Sequence, residues 1–158
     1  MKSLSIVSNG RLEKTGIYIN GEQISGVREI FLNLDEEGTF NSIIKYLGSN
    51  KEEYLKNIFD DELPLLQVTE PSFTDEELDT LQTITIESDG DINDTYVYWN
   101  EEEQDGIISV FIHIKSPTKE KKSITNIFGK DKILSDAICS ADITFREDDD
   151  SITVEKVF

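Results

Sequence analysis

The fold class turns on Phe40-Asn41-Ser42-Ile43-Ile44-Lys45-Tyr46-Leu47. Phe40, Ile43, Ile44 and Leu47 fall at i, i+3, i+4 and i+7, which on a helix makes one apolar stripe. The spacing predicts a helix. Just beyond it, Ser49-Asn50-Lys51-Glu52 fits a capping box ahead of Tyr54, Leu55, Ile58 and Phe59, which predicts a second helix. A third is expected where Thr74 can cap, Glu77 sits at the third helical position and Phe73 can staple onto Leu78.

On either side of these helices the apolar period is two. Ser3–Ser8 alternates, Ile17-Tyr18-Ile19 leads into Asn20-Gly21, and Arg28–Leu34 places Ile30, Leu32 and Leu34 on one face. Asn-Gly tolerates the positive φ of a type I′ turn, so residues 17–24 read as a hairpin. Thr83–Glu87, Thr95–Asn100 and Gly106–Lys115 read as a three-stranded meander. One or two short helices are expected near Ile124–Phe128 and Lys132–Ile138, and Asp142–Arg146 with Ser151–Lys156 as a closing hairpin. The sum is an α+β fold: mainly antiparallel sheet with two or three short helices in the middle of the chain. The 158 residues fit one acidic domain, 1–158, with room for a subdivision near 62–72. No internal repeat is read along the chain.

Charge is the most informative feature. There are 33 acidic and 15 basic residues, a formal net charge of −18. Eighteen acids and the single base Lys56 fall between Glu52 and Asp105, whereas residues 1–50 hold six acids and five bases. Between Lys115 and Lys132 six lysines face two acids, and the tail turns acidic again at Glu147-Asp148-Asp149-Asp150. Nucleic acids and anionic membranes would repel such a chain, because affinity for either comes from Lys and Arg. The expected partner is a basic protein, itself nucleic-acid-binding. The N-terminus is too short and polar for a signal peptide, no stretch approaches a membrane span, and the single cysteine, Cys139, suits a reducing compartment. The expected location is the cytoplasm.

Chemistry-bearing constellations are sparse. His113, the one histidine, shares a strand face with Ser109, but that spacing arises freely in strands. One His and one Cys leave a Cys/His zinc site without ligands. Asp89, Asp91 and Asn93 alternate as in the start of an EF-hand loop, with Asp94 beside them. However, Asp94 stands where that loop needs glycine and Asn100 where it needs a bidentate glutamate. Nucleotide-phosphate loops are missing, and with 33 acids a close carboxylate pair carries no information. No cofactor and no enzymatic activity are expected.

Tyr96, Val97, Tyr98 and Trp99 form an aromatic strand, with Tyr96 and Tyr98 on one face. Aromatic anchors beside clustered acids suit a partner-binding surface. The expected surface comprises Asp89, Asp91, Asp94, Tyr96, Tyr98, Glu101, Glu102, Glu103 and Asp105. Carboxylates spaced like phosphates would make the protein a nucleic-acid mimic or inhibitor. Two alternatives are a phage structural or assembly component built on the β-rich half, and a calcium-stabilised binding domain using Asp89, Asp91, Asn93 and Asp94.

Ser8-Asn9-Gly10, Thr15-Gly16-Ile17-Tyr18-Ile19, Asn20-Gly21-Glu22 and Ile24-Ser25-Gly26-Val27-Arg28-Glu29-Ile30 carry one resemblance. Through them the first 45 or so residues resemble small uncharacterised phage and prophage proteins of Gram-positive bacteria. The resemblance covers under a third of the chain and implies a phage context. Small acidic proteins in that setting look like inhibitors of host nucleases or defence systems.

Overall fold

The computed structural model describes residues 1–117, 119–120, 132–133 and 137–158. In it Phe40–Leu47 is a strand, not a helix. Ser42, Ile44 and Tyr46 are buried, whereas Asn41, Ile43 and Lys45 are exposed. The helical spacing of Phe40, Ile43, Ile44 and Leu47 thus mixes both faces of a strand. The adjacent isoleucines are β-branched and favour extended chain, and pairing on both sides rewards it. The second expected helix fails likewise. Glu53–Asn57 is a strand, and the supposed capping box is a turn with Lys51 at φ 66°.

Only the third helix forms. Thr74 Oγ1 accepts from the Glu77 amide at 3.2 Å, and the Glu77 carboxylate reaches back to the Thr74 amide at 3.2 Å. It runs no further than Asp75–Leu78. With 55% strand and 7% helix the protein is nearly all-β, which overturns the α+β expectation. The helix expected near Ile124–Phe128 lies outside the described residues. Of Lys132–Ile138, Lys132–Ile133 and Ile138 are strand and Ala137 is neither strand nor helix.

The elements, in chain order, begin with β1 (Lys2–Ser8), β2 (Gly16–Ile19), β3 (Glu22–Ser25), β4 (Val27–Asp35), β5 (Phe40–Leu47) and β6 (Glu53–Asn57). A connection follows with β7 (Gln67–Val68) and α1 (Asp75–Leu78). Then come β8 (Gln82–Ser88), β9 (Thr95–Trp99), β10 (Glu102–Glu103), β11 (Ile107–Lys115), the short pair β12 (Lys119–Glu120) and β13 (Lys132–Ile133), β14 (Ile138–Arg146) and β15 (Ile152–Lys156). One antiparallel sheet has the order β10-β9-β8-β1-β2-β3-β7, and the other β15-β14-β11-β4-β5-β6. The expected meander is therefore corrected: β8 and β9 pair, but β11 crosses to the second sheet. Leu4, Ile6, Ile84 and Ile86 from one sheet and Ile30, Leu32, Ile44, Val110 and Ile112 from the other share one apolar cluster. The sheets pack face to face as a sandwich.

The two halves of the sandwich are copies of one unit. Ser8 and Ser88 stand 80 residues apart, as do Ile6 and Ile86, Gly10 and Gly90, Thr15 and Thr95, Tyr18 and Tyr98, Asn20 and Asn100, and Glu22 and Glu102. Several bonds recur in both. Ser8 Oγ lies 2.7 Å from Thr15 Oγ1 and accepts from the Gly10 amide at 2.9 Å. Ser88 Oγ lies 2.8 Å from Thr95 Oγ1 and accepts from the Gly90 amide at 3.0 Å. Asn20 Oδ1 accepts from the Ser3 amide, and Asn100 Oδ1 from the Thr83 amide, both at 2.9 Å. Ile58-Phe59 after β6 and Val157-Phe158 after β15 are buried alike.

A two-fold relation joins the copies. In the first sheet β1 pairs with β8 so that Ser5 faces Thr85, its own equivalent. In the second, β4 pairs with β11 so that Leu32 faces Ile112, again its equivalent. The absence of a repeat read from the sequence is thus corrected by the register.

Equivalence has a measurable consequence. Ser8 and Ser88 are both fully buried and each holds a glycine amide and a threonine hydroxyl. Ser8→Ala and Ser88→Ala should each lower unfolding free energy by about 1–3 kcal/mol in urea melts. Effects that differ widely would contradict the equivalence.

Candidate functional site

The outer face of the first sheet is built by simple alternation. Val97 and Trp99 point toward the core, so Tyr96 and Tyr98 must point out. On β8, Ile84 and Ile86 point in, and Thr83, Thr85 and Glu87 point out. Register places Glu87 opposite Tyr96, and Glu103 of β10 opposite Tyr98. The open edge thus carries two phenols flanked by two carboxylates. Partial desolvation, then the charges of Glu87 and Glu103 and a hydrogen bond to Glu87, hold the Tyr98 phenol above its ordinary pKa.

Among the expected residues, Tyr96, Tyr98 and Glu103 come together on this face. Asp89, Asp91 and Asp94 lie at one end of β9, and Glu101 and Glu102 at the other. A five-residue strand separates those ends by roughly 17 Å. Asp105 leaves β10 toward β11 and lines a cleft of about 420 Å³ with Asp35, Glu103, Ile92 and Tyr96. Glu87 and Asp35 were not singled out in sequence. Glu87 belongs to the alternation of Thr83, Thr85 and Glu87, but its closeness to Tyr98 is visible only through register.

The Asp89–Asp94 loop is held by its own carboxylates. Asp89 Oδ1 accepts from the Asp91 amide and Asp91 Oδ1 from the Asn93 amide, both at 2.9 Å. The latter caps a 3-10 turn over Ile92–Asp94. Asp60 presses against Gly90, so that any Cβ there would meet its carboxylate. Among the described residues no three His, Cys, Asp or Glu side chains are arranged to hold a metal ion. His113 does not meet Ser109. Its Nε2 lies 2.6 Å from Glu29 Oε2, and its ring stands edge-on to Phe31 and Phe111. Cys139 lies 3.4 Å from Thr15 Oγ1 and 3.5 Å from Ser8 Oγ.

The first copy serves as an internal control on these acids. Its equivalent loop has Asn9, Arg11, Glu13 and Lys14 where the second copy has Asp89, Asp91, Asn93 and Asp94, and it repeats the first bond, from the Arg11 amide to Asn9 Oδ1, but not the cap that Asp91 makes. Its equivalent turn is Asn20-Gly21, with φ 51° and 83°, where the second copy has Asn100-Glu101 at 51° and 70°. Glycine adopts that conformation freely, whereas glutamate is held there against steric cost. None of the 18 acids between Glu52 and Asp105 is buried. Asp61, Glu77, Asp89 and Asp91 hold backbone amides, and there the fold needs an acceptor rather than a charge, as Asn9 in the place of Asp89 shows.

No family model matches the chain, and neither a curated protein nor a solved structure is significantly similar to it. No helix among the described residues is long and apolar enough to cross a membrane.

Two outcomes follow from this geometry. Glu103→Gln should lower the Tyr98 pKa, read by tyrosinate absorbance with Tyr98→Phe identifying the signal; an unchanged titration would separate the two groups. Glu101→Gly should raise stability by about 0.5–1 kcal/mol in denaturant melts, by relieving the left-handed glutamate.

Proposed function

We propose that this protein is a non-enzymatic, cytoplasmic interaction protein whose acidic face occupies a basic surface of a nucleic-acid-handling partner. It acts there as a nucleic-acid mimic or inhibitor, in keeping with the phage context that its N-terminal segment implies. The observation that carries this reading is the contrast between the two copies. Equivalent positions carry Asn9, Arg11, Lys14, Gly21 and Gln23 in one, and Asp89, Asp91, Asp94, Glu101 and Glu103 in the other. Solubility alone gives no reason to load one copy, or to hold a glutamate where glycine fits. Strain kept at a surface turn is a pointer to function.

The physics of such a surface is steering. Exposed carboxylates at both ends of β9 and along β10, on a protein of net charge −18, raise encounter rates with a basic partner and reject anionic ones. Tyr96 and Tyr98 add rigid contact area between the charges.

The test is a pull-down from bacterial lysate at low and high salt, with the quadruple variant Glu101→Lys, Glu102→Lys, Glu103→Lys, Asp105→Lys alongside. One dominant basic nucleic-acid-binding protein should be retained at low salt and weakened at high salt. The variant should associate with it about tenfold or more slowly, and with a shallower salt dependence. Equal retention of variant and parent would sink the reading for this face.

A further inference from the structure

The two copies differ in one further respect: among the described residues only one of their outer edges is covered. In the first copy, β7 adds to β3, with Ser25 facing Gln67 and Ile24 facing Val68. The Thr69 amide donates to the Gln23 carbonyl at 2.9 Å. The Gln23 side chain donates to Ser72 Oγ and accepts from the Ser72 amide, each at 2.8 Å. Phe73 then lies on Gly16, where a Cβ would come within 3.1 Å of its ring. The chain's own segment 67–73 therefore closes this edge and the face beside it.

Among the described residues the second copy presents the same edge open. The first sheet ends at β10. Within β10, Glu102 faces Trp99 and the Gln104 amide bonds the Val97 carbonyl. By alternation, the amides and carbonyls of Glu103 and Asp105 point away from β9. They are the equivalents of Gln23 and Ser25, which β7 engages. The face beside them carries Tyr96, 41% exposed, and Tyr98 where the first copy has Gly16 and Tyr18. The chemistry of the occupant follows from Glu103. Gln23 both donates and accepts, whereas a carboxylate accepts only, so whatever lies over Glu103 must bring donors. With Asp105 two residues on and Glu87 across β9, those donors are cationic.

We propose that the open edge of β10 takes up an extended lysine- or arginine-bearing segment of the partner protein as an eighth strand of the first sheet. The segment lies where β7 lies on the other copy. Main-chain bonds to Glu103 and Asp105 align it, and its basic side chains reach Glu103, Asp105 and the cleft that Asp35 lines. This rests on the reading of the acidic face as the partner site, and adds how the partner is held.

The test uses the full chain and two fluorescent peptides at low salt. One is capped Lys-Thr-Lys-Val-Lys-Thr-Lys. The other has the same sequence with every backbone amide N-methylated, which keeps the charge and blocks strand pairing along both edges. The first should bind about tenfold or more tightly than the second. It should also slow hydrogen exchange at the Glu103 and Asp105 amides, which needs no variant to fold. Equal binding of both peptides with unchanged exchange overturns strand addition and leaves the electrostatic reading intact. Absence of binding by the first peptide also overturns it. If its affinity is the same for Glu101→Lys, Glu102→Lys, Asp105→Lys protein, the acidic-face reading falls with it.

Discussion

Everything in this sandwich depends on two strand pairings in which the chain meets its own copy, β1 with β8 and β4 with β11. Each copy alone is two three-stranded sheets with long bare edges at β1 and β4. Such edges expose unpaired backbone groups, and thin sheets cover little of their inner faces. Joining the copies turns both edges into the centres of six-strand arrays. It also puts Leu4, Ile6, Leu32, Ile84, Ile86 and Ile112 completely out of water. On the outer face the Ser5 and Thr85 hydroxyls meet at 2.8 Å across the same axis. The long sequence separation carries a kinetic consequence. Closing a loop of 80 residues costs little more free energy than closing one of 40, but non-local pairing of this kind makes folding slow.

Symmetry of the scaffold frees its surface to be asymmetric. The buried serine that holds a glycine amide, the threonine hydroxyl beside it and the asparagine that closes each hairpin recur in both copies because the backbone needs them. The outward side chains face no such demand, and there the copies part. One is closed over by the segment 67–73 and stays near neutral. The other keeps its tyrosines exposed and gathers the carboxylates. The division matches a protein in which one copy does structural work and its twin meets a partner.

How much of this could be read in the sequence depended on whether the signal was local. Strands β1, β4 and β8, the Asn20-Gly21 hairpin and the β14–β15 hairpin alternate cleanly and were legible. Strands β5 and β6 were not, because Ile43 and Leu55 are apolar yet lie on the outer face, 40% and 67% exposed. Those side chains complete a false helical stripe. The capping box at Thr74 was legible in full, but it caps one turn, since the chain must re-enter the sheet at Gln82. The repeat was present as seven identities in the 21 positions from Ser3 and Thr83, and charge divergence hides them. The tyrosine face of β9 followed from alternation alone. Its neighbours Glu87 and Asp35 required the register of β8 and the crossing of β4 into the other sheet.

The acids at the open edge also bear on what cannot bind there. An unpaired strand is a template for any extended chain, including a second copy of the same protein. The edge offers Glu102, Glu103 and Asp105, and a second copy of this edge would bring the same charges opposite them. Like charges directly facing across a strand pair destabilise it. At net charge −18 long-range repulsion adds to this. The same side chains that would attract a cationic strand therefore keep the protein from pairing with itself. Lysines could guard the edge equally well, but they would invite nucleic acid, which the proposed mimic must refuse. Carboxylates satisfy both requirements at once, and that explains why the open edge, rather than the covered one, is where they gather.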